Sequence, residues 1–256
     1  MTYLLNHPWL FGLLVAVFLA VMIEVGQQIG AVSRIHQETH RKEQTIAIRD
    51  GLFVLVSLLL GFTLALAVPR FTERRSRLVE EAVSIGATNL RAGLLPSPWR
   101  ENARALLRKY ADARADLDSA GVDEARSREA TNRSESIQHQ LWEDAEAVAR
   151  TDRTAITATY ITSLSQTIDL DEERLAAMEN RIPIPIWVLI LCVSVIAILS
   201  RGLTLTRRFW LTLVLGPVTI AIVLALVADL DSPGSGLLRL DDRAMQRMKA
   251  ELNSER

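Results

Sequence analysis

Residues 51–68 read GLFVLVSLLLGFTLALAV and contain no charged side chain, whereas residues 70–77 read RFTERRSR and contain five. A helix rises about 1.5 Å per residue, so an apolar run of this length covers most of a hydrocarbon core that is about 30 Å thick. The charged segment that follows at once is too polar to continue in hydrocarbon. The stretch therefore predicts a membrane-spanning helix that leaves the membrane after Val68.

Three further apolar runs of similar length divide the rest of the chain. They extend from about Leu4 to Val25, from Ile184 to Ser200 and from Phe209 to Ala228. Charged residues make up 23% of the sequence and are concentrated between these runs. No Lys or Arg precedes the first run, and it is longer than the core of a signal peptide, so we expect it to be retained as a helix. The sequence predicts an all-α integral membrane protein with four transmembrane helices in two hairpins.

The segment between the second and third spans is rich in Ala, Arg and Glu, which favour helix. Its clearest apolar pattern advances in steps of four and three, as one face of a helix does, through Trp99, Ala103, Leu106, Tyr110, Ala113 and Leu117. We expect this seam to be buried inside the insert or between subunits, with Leu106 and Tyr110 at its centre. The stretch from Asp118 to Asn132 lacks such a pattern and is interpreted as a polar loop.

These patterns divide the chain into four segments. Residues 1–69 are the first transmembrane hairpin, residues 70–181 a helical domain, residues 182–230 the second transmembrane hairpin, and residues 231–256 a C-terminal tail. An even number of spans places both termini and the helical domain on one side of the membrane. Basic residues beside the spans are nearly equal in number on the two sides, so the positive-inside rule alone leaves the orientation open.

Two short motifs lie at the end of the second apolar run and just after the fourth. Leu60-Gly61-Phe62 followed by residues 70–75, RFTERR, is similar to the LGF helix of bestrophins and to the R-[FW]-x-E-x-R pattern at its end. Residues 229–234, DLDSPG, resemble the acidic Pro-Phe-Gly segment that follows the last bestrophin span. The overall pattern, over roughly residues 49–248, is most similar to the bestrophin-like membrane proteins of bacteria. The motif positions are Leu60, Gly61, Arg70, Phe71, Glu73 and Arg75.

The resemblance implies a homo-oligomer, with a pentamer favoured, around a central pore that the second transmembrane helix lines. It implies a multi-pass protein of the bacterial inner membrane, with the termini and residues 70–181 in the cytosol. In the bestrophin pattern the Phe of LGF and the residues four and eight positions before it line the narrow neck, which here are Phe62, Leu58 and Val54. The permeant ion is left open, because Thr63 stands where bacterial bestrophins often carry Arg.

Other candidate sites are weaker. Asp229 and Asp231 could bind a hard cation such as calcium through their carboxylates, although an acidic stop after a span is the simpler interpretation. His36 and His40 are four residues apart, but Glu38 does not fit the spacing of a zinc protease, and a solvated loop is the simpler interpretation. We expect no cofactor. A net charge of -1 also argues against a nucleic-acid partner.

Two functions remain open on these residues. The first is an oligomeric ion channel or pore in the lipid bilayer, passing an inorganic ion. The second is a non-conducting membrane scaffold or sensor whose helical insert binds a partner protein through the seam from Trp99 to Leu117. No set of nucleophile, base and orienting group can be named, so we do not expect an enzyme.

Overall fold

The computed structural model describes residues 7–32, 39–121, 123–205, 210–232, 238 and 243–254. Within these ranges the regular structure is entirely helical. Four segments of the described chain are long and apolar enough to cross a membrane, namely Pro8–Val32, Glu43–Ala92, Ala155–Thr204 and Leu213–Asp231. The prediction of an all-α protein with four membrane-spanning helices is confirmed. The helices are α1 (Pro8–Val32), α2 (Thr39–Ala92), α3 (Trp99–Ala120), α4 (Glu124–Thr151), α5 (Ala155–Glu179), α6 (Ile184–Thr204), α7 (Trp210–Asp231) and α8 (Arg243–Ser254).

The chain folds into two compact units. The membrane unit comprises Met1–Arg70 and Arg181–Leu238. The insert unit comprises Phe71–Asn180 and Arg239–Arg256. Helix α2 contributes its first part to the membrane unit and its last part to the insert unit.

Glycines allow α1 to approach α6 at backbone distance. Gly26 and Gly30, four residues apart on α1, face the backbone of Leu199 and Leu203, and Gly202 on α6 faces the backbone of α1. A Cβ atom at any of the three glycines would lie closer than 3.0 Å to a backbone atom of the other helix. Small residues spaced four apart are the usual basis of close helix packing in membranes. The spacing of Gly26 and Gly30 is a visible sequence signal that our sequence analysis did not use.

Helix α1 also packs against the start of α6 and against one face of α7. The rings of Phe11 and Trp187 pack edge to face, with centroids 5.6 Å apart. Since Phe11 and Trp187 lie near the starts of α1 and α6, and the glycine contacts lie near their ends, the two helices run parallel. Gly12 faces Ala225 of α7, where an added Cβ would lie 2.7 Å from the alanine Cβ. The first span therefore packs on the third and fourth spans, which are distant in sequence.

The core of the insert unit contains most of the predicted seam. Ala103, Tyr110 and Ala113 are buried in it, and Trp99 and Leu106 are partly buried against it. Of the predicted centre, Tyr110 is buried, whereas Leu106 is only partly buried and its neighbour Leu107 is fully buried. A pattern of three- and four-residue steps does not distinguish Leu106 from Leu107, because either leucine fits an apolar helix face about 100° wide. Other large members of this core are Ile85, Leu141, Val148, Tyr160 and Leu164.

The predicted polar loop from Asp118 to Asn132 is wrong. Helix α3 continues to Ala120, and α4 begins at Glu124. The Asp123 carboxylate accepts hydrogen bonds from the backbone N–H groups of Ala125 and Arg126, at 3.1 and 3.2 Å, and so caps α4. The polarity of this stretch belongs to the exposed surface of a helix.

The segment expected as a C-terminal tail, residues 231–256, is divided between the two units. Its helix α8 buries Met245, Met248 and Leu252 in the insert core. The Lys249 ammonium lies 2.8 Å from an Asp112 carboxylate oxygen of α3. Helix α8 is thus an integral part of the insert unit.

Candidate functional site: the second membrane-spanning helix and the insert core

One face of α2 is buried in the membrane unit. Val56, Leu60, Thr63 and Ala67 are buried and follow one another at steps of four, three and four. The Thr63 hydroxyl donates a hydrogen bond to the Leu59 carbonyl oxygen at 2.6 Å, which satisfies a polar group inside an apolar face. These residues define the rotation of α2 within the membrane unit.

The predicted neck residues lie on the opposite face of α2. The exposed fractions are 69% for Val54, 51% for Leu58 and 59% for Phe62. At about 100° of rotation per residue, their mean direction is roughly opposite to that of the buried face. Apart from the chain neighbours and the nearby backbone of α2 itself, no atom of the described chain lies within 4 Å of the place where a Cβ would stand at Gly51 or Gly61. This face is therefore open in a single chain, while its role as a pore neck stays a prediction.

The motif residues around the end of this span have different surroundings. Leu60 is buried and Gly61 is exposed. Arg70 and Phe71 are partly buried, whereas Glu73 and Arg75 are exposed. Arg74, which the sequence analysis did not single out, is the buried arginine of this cluster.

The weak metal candidates, Asp229 and Asp231, hold backbone groups instead. Asp231 Oδ1 accepts a hydrogen bond from the Ile182 N–H at 2.9 Å, just before α6. Asp229 Oδ2 accepts one from the Leu238 N–H at 3.1 Å. No group of three or more His, Cys, Asp or Glu side chains that could hold a metal occurs among the described residues. The two aspartates therefore bind backbone N–H groups of chain segments near the span ends. The histidine pair cannot be compared with its prediction, because His36 and the His40 side chain lie outside the described residues.

The insert unit contains a buried ionic network that the sequence analysis missed. Glu81 of α2 is fully buried between two guanidinium groups. Arg114 Nε donates to Glu81 Oε1, and Arg174 Nη1 donates to Glu81 Oε2, each at 2.5 Å. Arg114 Nη2 also lies 2.5 Å from Asp171 Oδ1, and Arg174 Nη2 pairs with Asp118 Oδ1. The network joins α2, α3 and α5 inside one unit.

Helix α4 extends the network through an amide. Gln138 Nε2 donates to Asp171 Oδ2 at 2.7 Å and to the Tyr110 hydroxyl at 3.1 Å. Sequence spacing hints at these groups, because Arg114 and Asp118 are four residues apart on α3. Most such pairs lie on solvated helix surfaces, so the spacing alone does not show that this one turns inward.

Burial alters the proton affinities of the network. Burial raises the pKa of Asp118 and of Asp171, because removal from water disfavours the charged carboxylate, and the nearby guanidinium groups oppose this only in part. Burial by itself would lower the pKa of Arg114. The attraction of Glu81 and Asp171 outweighs it, so the pKa of Arg114 is raised and the group stays charged.

The chain matches a known protein family over most of its length. Residues 50–245, which cover most of the sequence and include α2 from residue 50 onward and the whole ionic network, match the Bestrophin-like domain. The chain belongs to the bestrophin-like family. The resemblance inferred from the LGF and RFTERR motifs is therefore confirmed.

Solved structures agree with this bestrophin-like fold. A bacterial bestrophin homolog from Klebsiella pneumoniae is 14% identical, with a TM-score of 0.67 and coverage of 95% of this chain and 97% of that chain. A tyrosine-to-alanine variant of that homolog is 13% identical, with a TM-score of 0.64 and coverage of 93% and 97%. At these identities the likeness shows the fold. A comparison with curated proteins finds no match.

A second polar contact joins α2 to α5 in this bestrophin-like chain. The Thr88 hydroxyl lies 2.7 Å from the Ser163 hydroxyl and 2.8 Å from the Thr167 hydroxyl. The Ser84 hydroxyl lies 2.8 Å from the Thr167 hydroxyl, and the Arg91 guanidinium donates a hydrogen bond to the Ser163 hydroxyl at 2.9 Å, so these side chains form a row of polar groups. Together with the Glu81–Arg174 pair, this row fixes the register of α5 against α2 through polar groups as well as through apolar packing.

Proposed function

We propose that this bestrophin-like membrane protein assembles with identical copies around a central pore, which the second transmembrane helix of each copy lines, and that the pore conducts inorganic ions. Bestrophins are channels, which supports the proposal at the level of the family. A pentamer is the assembly that the family resemblance favours.

The observation that carries the proposal is the contrast between the two faces of α2. Its buried face packs within the subunit, and its other face presents Val54, Leu58 and Phe62 to the outside of the single chain. In a ring of copies, residues spaced four apart on that face would stack as successive rings along the axis. Three apolar rings of this kind can act as a gate, because a narrow apolar constriction loses its water.

The orientation is part of the proposal. We place both termini and residues 70–181 in the cytosol of a bacterial inner-membrane protein. The cluster of arginines in residues 70–77 supports this, since basic residues next to a span favour the cytosolic side. The bestrophin-like family membership supports the same arrangement.

The alternative function, a non-conducting scaffold or sensor, loses its main motive. It depended on the seam from Trp99 to Leu117 being available to a partner protein. Three of the six seam residues are buried in the insert core, and Trp99 and Leu106 are packed against it. The seam is therefore occupied by the chain itself.

Ion flux into liposomes that contain the purified protein tests the pore assignment. The triple variant Val54→Ala, Leu58→Ala, Phe62→Ala should raise basal conductance, because shorter side chains widen a dewetted constriction.

The matched control replaces Leu13, Val17 and Val21 by alanine, since these residues of α1 are also exposed, apolar and spaced four apart. We expect the control to conduct as the unmodified protein does. Unaltered flux from a correctly assembled neck variant would contradict the neck assignment. A monomeric mass in detergent and in bilayers would contradict the central pore.

A further inference from the structure

The buried ionic network of the insert carries more acid than base. Its members are three carboxylates, from Glu81, Asp118 and Asp171, and two guanidinium groups, from Arg114 and Arg174. With every group ionised, one negative charge is in excess. An uncompensated buried charge is costly, and a protein usually avoids it by a change of protonation.

Hydrogen bonding identifies where that excess lies. Both Glu81 oxygens accept from arginines, and both Asp171 oxygens are engaged, one by Arg114 and one by Gln138. Asp118 differs, because only its Oδ1 is engaged, by Arg174. Its Oδ2 is buried and has no hydrogen-bond donor among the described residues. Asp118 is thus the carboxylate of the network that can take a proton without losing a hydrogen bond.

The other charges around Asp118 do not remove the excess. Arg174 of α5 is shared with Glu81, and Arg114 of its own helix is shared between Glu81 and Asp171. Glu81 of α2 adds a like charge. Two cations from other helices pair with other aspartates of α3. Arg133 of α4 pairs with the exposed Asp116, and Lys249 of α8 pairs with Asp112.

We propose that Asp118 binds a proton in the folded insert under conditions in which an exposed aspartate is ionised, which makes the insert a proton-sensitive unit. The proton occupies Oδ2, and Oδ1 continues to accept from Arg174. Protonation brings the network to neutrality at the place where α3 and α5 meet α2. Acidification therefore strengthens the packing of α3 and α5 on the part of α2 that lies within the insert unit, and this inference does not depend on ion conduction.

The sign of the effect follows from the direction of the shift. Burial raises the pKa of Asp118 above its ordinary value of 3.8, so the folded chain keeps a proton that the unfolded chain has already released. Between the ordinary and the raised pKa the folded state binds more protons, and the free energy of unfolding falls as the pH rises. Below the ordinary pKa both states are protonated, and the contribution is constant.

The test measures unfolding of the full-length protein in detergent micelles as a function of pH, for the unmodified chain, Asp118→Asn and Asp116→Asn. Asp116 is two residues away and exposed, with a surface ion pair to Arg133, so it is the matched control. Asp118→Asn should remove up to one proton from the slope of the logarithm of the unfolding constant against pH. Asp116→Asn should keep the slope of the unmodified chain. Equal slopes in all three proteins would overturn the proposal.

Infrared spectroscopy keeps the proposal testable if Asp118→Asn does not fold. A protonated buried carboxyl group gives a carbonyl band that an ionised carboxylate lacks. The band should be present in the folded protein at mildly acidic pH and should persist in Asp116→Asn, because the Asp116 carboxylate is exposed and lies outside the network. Absence of the band from the unmodified protein, or its loss in Asp116→Asn, would overturn the proposal.

Discussion

The contact between α1 and α6 permits a sharp test of the fold, through the substitution Gly202→Ala. The added Cβ would stand 2.8 Å from the Gln27 nitrogen and 2.8 Å from the Gly26 Cα, and closer still to the Ile23 carbonyl oxygen. All three are backbone atoms, so no side-chain rotation can relieve the overlap, and the two helices must separate.

The magnitude follows from two opposing effects. Overpacking a well-packed contact costs about 1–3 kcal/mol, and the backbone character of this overlap favours the upper part of that range. Alanine in place of a helical glycine returns about 1 kcal/mol. We therefore expect Gly202→Ala to lower the free energy of unfolding by about 2 kcal/mol, which is a factor of about 30 in the folding equilibrium.

Unfolding in mixed micelles, followed by circular dichroism, measures this change. Gly51→Ala is the control, because its added Cβ meets no atom of the described chain within 4 Å other than its neighbours and the nearby backbone of α2, and it should be neutral or slightly stabilising. Gly26→Ala should resemble Gly202→Ala, and the double variant should cost less than the two single losses together, since once the helices separate the second Cβ has room. Equal stability of Gly202→Ala and the unmodified protein would refute the close approach of α1 and α6.

Three further predictions concern the insert and the topology. Leu107→Ala should lower the free energy of unfolding by about 2–5 kcal/mol, because it opens a cavity in the core, and Leu106→Ala should lower it clearly less. Denaturant unfolding compares the two variants, and an equal loss would contradict the more central position of Leu107. Arg174→Ala should cost about 3–5 kcal/mol, since it leaves the buried Asp118 without its arginine and Glu81 with Arg114 alone, whereas the exposed Arg128→Ala should have no measurable effect. A cysteine placed at Ser119 should be protected from an impermeant thiol reagent in intact cells, and strong labelling there would reverse the proposed orientation.

The spans were predictable because their signal is local. An uncharged run of about 20 residues can avoid water only in a membrane or a large core, so composition and length suffice. The helical character of the insert follows from its composition and from the seam that begins at Trp99. The family resemblance depended on short motifs such as Leu60-Gly61-Phe62, which are read directly from the chain.

The errors and omissions have two causes. Most of the stretch from Asp118 to Asn132 is polar because it faces water, and a polar exposed helix has the composition of a loop. The omissions concern partners distant in sequence. Arg114 and Arg174 are ordinary charged residues of amphipathic helices in the sequence. Only the arrangement of α2, α3 and α5 turns them toward Glu81, which is 93 positions from Arg174.

By itself the sequence determined the all-α class, the number of spans and the family, because hydrophobic length and motif spacing act within one helix or between neighbouring ones. The tertiary structure decided which face of α2 is buried, that Gly26 meets Gly202, and that Asp118 is the carboxylate with a free buried oxygen. Each of these depends on how a helix is rotated against a distant partner. Rotation is set by the summed packing and hydrogen bonding of both surfaces, and no local pattern contains that sum.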